Sequence, residues 1–216
     1  MSYCGPKQTE ECSMSVTEEQ VKGVQRHAYM RVILKDMGID LEEVNFKGTP
    51  ERWLKYLESY IVPYNPQDDL GVTFPLKGAS EDIYDRAMIV QAGIPYRAVC
   101  AHHLLPVLGT AHVGYIPKDR VVGISKLSRL VYGLSHVMPS LQEDITHSVT
   151  AILAHHLDAL GVMCVISAEH GCMAARGVEE ATGQTQTLTS SVQGVFTDKV
   201  EAREEFYRLV ELRRRS

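Results

Sequence analysis

The strongest constraint on what this chain can fold into is a hydrophobic period that changes twice in the second half of the sequence. From Val107 to Ile116 the period is two: Ala111, Val113 and Tyr115 fall on one side, Thr110, His112 and Gly114 on the other. Residues 83–99 read as a further strand, and 120–124 as a short one after a turn at 117–119. The period then becomes helical. Leu127, Leu130, Val131 and Leu134 form one apolar stripe; Leu141, Ile145, Val149, Leu153, Leu157 and Leu160 form another. Strands return at 161–168 and 185–195, and an amphipathic helix closes the pattern at 199–213. Strands, two long helices and strands again predict an α+β fold with antiparallel pairing.

Upstream, Thr17-Glu18-Glu19-Gln20 resembles a capping box that opens a helix reaching Met37, where Gly38 can stop it. A second helix is expected from Thr49, with Thr49 as N-cap and Pro50 in the first turn, to Ile61. Residues 64–80, rich in Pro, Gly and Asp, read as a loop, and residues 1–14 as a flexible tail. Neither an internal repeat nor a linker separates these parts. The expectation is one domain over 15–216, with a helical part at 15–63 and a catalytic part at 81–216.

Composition narrows the class. With 44% hydrophobic and 23% charged residues, the chain is an ordinary globular one, and no apolar run approaches the length of a membrane span. Five cysteines, an odd number and widely spaced, do not read as a disulfide framework, and no charged-then-apolar leader is visible. A reducing cytoplasm is therefore the expected setting. The net charge of −5 argues against bulk binding to nucleic acid or anionic membranes. That average conceals an imbalance. Between Arg97 and Arg129 stand five bases (Arg97, Lys118, Arg120, Lys126, Arg129) and one acid, Asp119, a local net of +4 that leaves −9 elsewhere.

The chemistry-bearing residues lie in and around that stretch. Cys100 and His103 have the spacing to chelate a metal from a turn, and thiolate with imidazole is the preferred donor set of zinc. His170-Gly171-Cys172 supplies a second cluster at an expected strand end, where residues two apart share a face. Cys100, His103 and Cys172 make three protein ligands, the count that leaves a position open for catalysis. His102 and His170 then stand beside the metal as groups suited to proton transfer. The bland alternative is a buried cysteine with histidines capping a strand. Cys164, inside Val162-Met163-Cys164-Val165-Ile166, reads as core, and His155 and His156 as surface.

Ser125 and Lys126 enter the first long helix with Ser125 as expected N-cap, a natural phosphate site, and Arg129 projects beside Lys126. Arg176 could join them; the alternative is a solvated basic face. Gln142-Glu143 opens the second long helix. An acid there suits the helix dipole, and a carboxylate beside an amide could also hold a guanine N1–H and 2-amino edge.

The blocks Cys100-x-His102-His103-Leu104-Leu105-Pro106, His112-Val113-Gly114-Tyr115-Ile116-Pro117, Gly123-Ile124-Ser125-Lys126-Leu127-x-Arg129, Leu141-Gln142-Glu143, His170-Gly171-Cys172-Met173 and Arg176-Gly177-Val178 stand in this order. Together they closely resemble GTP cyclohydrolase I, from Thr49-Pro50-Glu51-Arg52 to Arg203-Glu204-Glu205-Phe206. The resemblance implies a tunnelling fold whose subunit sheets join into a barrel. It also implies a homodecamer of two pentamers with active sites between subunits. The implied reaction converts GTP and water to formate and 7,8-dihydroneopterin triphosphate, the entry to folate and other pterins. By resemblance, Cys100, His103 and Cys172 hold one Zn2+ per subunit, and His102 and His170 move protons. Glu143 and Gln142 hold the guanine, and Ser125, Lys126, Arg129, Arg176 and Arg52 serve the triphosphate.

The chain departs from the family pattern at a few positions. Ala101 stands where the family usually has Glu, and Asp144 where Arg commonly follows Gln-Glu. Residues 135–139 lack the usual Arg, and Ala174 stands where some members have Lys. None is an expected ligand or base, so these bear on substrate preference more than on reaction class. Rival readings are another tunnelling-fold enzyme acting on a purine or pterin, and a zinc-stapled ring protein without activity.

Overall fold

A computed structural model describes residues 18–76, 87–175 and 185–215. The expected tail at 1–14, the start of the expected strand at 83–86 and Arg176 lie outside them. The chain divides into two compact units, Met1–Tyr56 and Leu57–Ser216.

In the first unit, α1 (Glu18–Asp36) ends as its sequence implies. Gly38 adopts φ +86° and donates to Lys35 O, while Ile39 donates to Leu34 O. These two bonds are the Schellman pattern, which needs a left-handed residue that glycine supplies without strain. The helix α2 (Thr49–Glu58), whose last two residues belong to the second unit, stops three residues before the expected Ile61. Its terminal carbonyls are taken up by turns instead: Tyr60 donates to Leu57 O and Ile61 to Glu58 O. Thr49 is the first helical residue, not an N-cap, and its hydroxyl accepts from Arg52.

The second unit holds the pattern of strands, two long helices and strands. Regular elements stand where a loop is expected from residue 64 on: α3 (Pro66–Leu70) and β1 (Thr73–Pro75). Asn65 caps α3, accepting from the Gln67 N–H at 3.2 Å, and Pro66 occupies the first turn. Four long strands follow: β2 (Ile89–Val99), β3 (Pro106–Ile116), β5 (Gly161–His170) and β6 (Thr187–Gly194). They form one antiparallel sheet in the order β2-β3-β5-β6. The short β4 (Arg120–Val122) pairs with β1 in a separate two-stranded sheet.

Between β4 and β5 run α4 (Ser125–Ser135) and α5 (Gln142–Leu157), which bury their apolar stripes on one face of the sheet. The alternation read from β3 holds: Ala111, Val113 and Tyr115 are buried in this layer. Leu127, Leu130, Val131, Ile145, Val149, Leu153 and Leu157 meet them there. Leu160 does not belong to this stripe. Asp158 turns left-handed (φ 46°) and ends α5, so Leu160 falls in the cluster on the opposite face. That second cluster joins Ile116, Met163 and Phe196 of α7 (Val195–Asp198) to Phe206 and Val210 of α8 (Val200–Arg215). An edge-to-face contact of Phe196 and Phe206, centroids 6.4 Å apart, lies at its middle.

Candidate metal centre

The sheet register explains how residues 72 positions apart come together. The start of β3 is flanked on both sides: Pro106 pairs with Val99 of β2, and Val107 with His170 of β5. Cys100, one residue past Val99, and Cys172, two past His170, therefore emerge at the same end of the sheet. The strand ends at His170, and Cys172 sits in the helical turn α6 (Gly171–Ala174), so these two do not share a strand face as expected. The turn is close enough to β3 that a Cβ on Gly171 would stand 2.8 Å from Pro106 O. Glycine is what lets the chain bend Cys172 inward there.

On the other side, Cys100 accepts from Leu104 N–H at 2.9 Å and donates its own N–H to Leu105 O at 3.0 Å. These bonds close the turn carrying His102 and His103, and Leu104 completes it at φ 54°, a left-handed conformation that costs a non-glycine residue about 1–2 kcal/mol. The Sγ atoms of Cys100 and Cys172 are 3.8 Å apart. All three donor atoms of Cys100, His103 and Cys172 lie within 4.8 Å of one another. A tetrahedral zinc with Zn–S of about 2.3 Å requires sulfurs about 3.8 Å apart, so the donor set fits that ion in both chemistry and spacing. Both cysteines are buried while His103 is exposed, which leaves the centre open on the histidine side.

His102 is exposed, with Nδ1 3.8 Å from the Cys100 sulfur. His170 is half-buried, and its Nε2 lies 2.9 Å from Oε1 of Gln142. The orientation of that amide is set by its other end. Nε2 of Gln142 donates toward Ile166 O (3.2 Å), Thr187 O (3.1 Å) and Thr189 Oγ1 (3.1 Å). Two of these are carbonyls, which only accept, so Oε1 must face His170 and the His170 Nε2 must carry hydrogen. The free lone pair of neutral His170 is then on Nδ1. Burial pushes its pKa below the ordinary value, with Glu143 opposing.

This geometry corrects one expectation. Gln142 is 2% exposed and both its amide hydrogens are taken within the chain, so it serves His170 and not a ligand edge. Glu143 next to it is exposed and points away from the core side of α5 as its helical position requires. Ser125 is exposed but is the first helical residue; the N-cap is Ile124, without a side-chain capping bond. Lys126 and Arg129 do lie together on α4, and both are bound to Asp69: Oδ1 accepts from Lys126 Nζ at 3.2 Å and from Arg129 Nη1 at 3.4 Å. Asp69 was hidden in the stretch read as a loop. Its signal was Asn65-Pro66 followed by two acids, a helix start with a carboxylate in the first turn. Arg52 belongs to the first unit, where it donates to Lys47 O and Thr49 Oγ1. Cys164 is fully buried, as its apolar run implied, and burial pushes its thiol up to about 12.

Similarity to known proteins agrees with the site. The sequence profile of GTP cyclohydrolase I matches residues 26–211. The GTP cyclohydrolase 1 of Pelotomaculum thermopropionicum is 38% identical over 184 residues, covering 84% of this chain and 93% of that protein. The enzyme of the same name from a Hydrogenobaculum species is 35% identical over 181 residues, with 84% and 93% covered. That of Halalkalibacterium halodurans is 37% identical over 182 residues, with 83% and 92% covered. Among solved structures, an archaeosine synthase QueF-Like in its apo form aligns with 50% of this chain and 92% of its own at 13% identity. The TM-score of that alignment is 0.39. On the profile match and these relatives, the chain is an enzyme and belongs to the GTP cyclohydrolase I family.

Proposed function

We propose that this protein hydrolyses GTP at guanine C8, releases formate and forms 7,8-dihydroneopterin triphosphate, the first step toward folate and other pterins. The observation that carries this reading is the Cys100–His103–Cys172 cluster, spaced for zinc, with His170 held beside it in one tautomer. Zinc in such a site supplies Lewis acidity for hydrolysis. The chain's own residues do the rest. His170 takes and returns protons at Nδ1, because Gln142 occupies the Nε2 side. His102, exposed at the mouth of the turn, provides a second imidazole for ring opening and deformylation. Glu143 accepts from the guanine N1–H and 2-amino groups. Ser125, Lys126, Arg129, Arg176 and Arg52 serve the triphosphate.

The tunnelling barrel and the homodecamer are part of the same reading. What supports them is the family and the sheet: among the described residues, the outer edges of β2 and β6 pair with no strand, and joining edges between subunits would satisfy them. On this reading the protein has a mass in solution many times 24.1 kDa by light scattering. Among the described residues no helix is long and apolar enough to cross a membrane. A cytoplasmic setting, where thiolates stay reduced and free to bind metal, is proposed with it.

The deciding experiment incubates the purified protein with GTP and measures formate together with an oxidisable fluorescent pterin. Formate and pterin in equal amounts are expected, and no formate at any zinc loading would remove the reading. Cys100→Ser and Cys172→Ser are expected to lose both metal and turnover, whereas His170→Ala keeps about one metal per chain and loses turnover. Wild-type zinc content in Cys100→Ser, measured by elemental analysis, would dissolve the proposed centre.

A further inference from the structure

Lys126 and Arg129, to which the proposed function assigns the substrate's triphosphate, already hold an anion supplied by the chain. One carboxylate oxygen, Oδ1 of Asp69, accepts from both, and Oδ2 accepts from the Tyr64 hydroxyl at 3.2 Å. The contact is sheltered: the Asp69 side chain is 13% exposed and that of Lys126 22%. Burial alone would raise the Asp69 pKa, but the hydrogen bonds from Lys126, Tyr64 and Arg129 outweigh it and keep the carboxyl below its ordinary range. Asp69 is therefore ionised at neutral pH, and α3 with its Asn65 cap holds it in place.

We propose that Asp69 is an internal stand-in for phosphate that occupies Lys126 and Arg129 until a polyphosphate displaces it, and so sets how many negative charges a ligand must carry to bind. This rests on the assignment of those two cations to the triphosphate. Ammonium and guanidinium groups accept carboxylate and phosphate oxygens by the same charge-assisted bonds, so both anions compete for the same N–H groups. A phosphate brought to Lys126 meets the Asp69 charge at short range. Arg129 remains the point of entry. Its side chain is 62% exposed, and with Asp69, Tyr64 and His136 it borders a cavity of about 230 Å³. A ligand with one phosphate gains too little to exchange with Asp69; a triphosphate, which can engage both cations at once, gains enough.

The test is calorimetric titration of inorganic tripolyphosphate, and then of inorganic phosphate, into the full-length metal-loaded protein and its Asp69→Asn variant, with KM for GTP measured in parallel. Removing the charge while keeping the shape is expected to tighten tripolyphosphate binding about three- to tenfold, lower KM for GTP in proportion, and narrow the preference for tripolyphosphate over phosphate. Damage to the fold could weaken binding but could not strengthen it, which separates this role from a merely structural one. Unchanged or weaker binding in Asp69→Asn, or no tripolyphosphate binding by the wild type, would overturn the proposal. If Asp69→Asn does not accumulate as folded protein, Asp69→Ser is titrated in its place against the same outcomes. Tighter tripolyphosphate binding in a protein that yields no formate from GTP would uphold the role of Asp69 while removing the GTP reading.

Discussion

Gln142 shows how one buried amide can decide the chemistry of an exposed site. Its two hydrogens go to acceptors on β5 and β6, which leaves its oxygen no choice but His170. With His170 in its proposed role, replacing Gln142 by alanine is expected to lower kcat about 10–100-fold with metal content unchanged, the usual cost of losing an orienting partner around a metal site. Because Gln142 acts through His170, the double variant with His170→Ala should be no slower than His170→Ala alone, a non-additivity that steady-state kinetics reads directly. Cysteine reactivity should divide the same way. Cys164, fully buried and pushed up to about 12, stays unmodified by thiol reagents in the native protein. Removing the metal with a chelator is expected to expose two further thiols to mass-spectrometric labelling, Cys100 and Cys172.

At the scale of elements, α5 carries two stripes, only one of them visible as hydrophobic period. Gln142, Thr146 and Thr150, spaced four apart, are buried and point at β6. The Thr146 and Thr189 hydroxyls are 2.7 Å apart, as are those of Thr150 and Ser191. This polar seam continues into the His170 contact, so the helix that builds the core also aims the imidazole. Its apolar stripe provides the stability: Leu153 is fully buried, and Leu153→Ala should cost about 2–5 kcal/mol in a denaturant titration. Element types along the chain were legible because alternation and 3.6-residue period reflect one buried face each. The threonine seam was not, since Thr and Gln look like solvent-facing residues until the sheet that pairs with them is in place. The end of α2 likewise depended on turn hydrogen bonds, and that of α5 on the left-handed turn at Asp158, neither of which local sequence displays.

In the second unit as a whole, His136 couples stability to pH. Its ring stacks between Tyr60 (centroids 4.7 Å) and Tyr132 (4.0 Å), and its Nδ1–H donates to Tyr132 O at 2.8 Å. Burial, with the charge of Arg97, holds its pKa below the ordinary 6.5 despite that bond. A histidine kept neutral in the fold takes up its proton more readily when unfolded. Stability should therefore be full above about pH 6.5 and fall as pH drops from there toward the lower folded value. Thermal melts at pH 7.5 and 5.5 are expected to show a smaller shift in His136→Phe than in the wild type.

The donor residues at 100–103 and 170–172, the antiparallel α+β plan and the identity of Cys164 as core followed from the chain alone. Each rests on residue type and spacing within one segment, where geometry is local. That Cys172 reaches Cys100 from a helical turn, that Gln142 faces inward to His170, and that Asp69 pairs with Lys126 and Arg129 from 57 and 60 positions away were decided only by the folded chain. Such contacts depend on strand register and on where short helices dock, and no local pattern encodes which distant partner a buried polar group will meet.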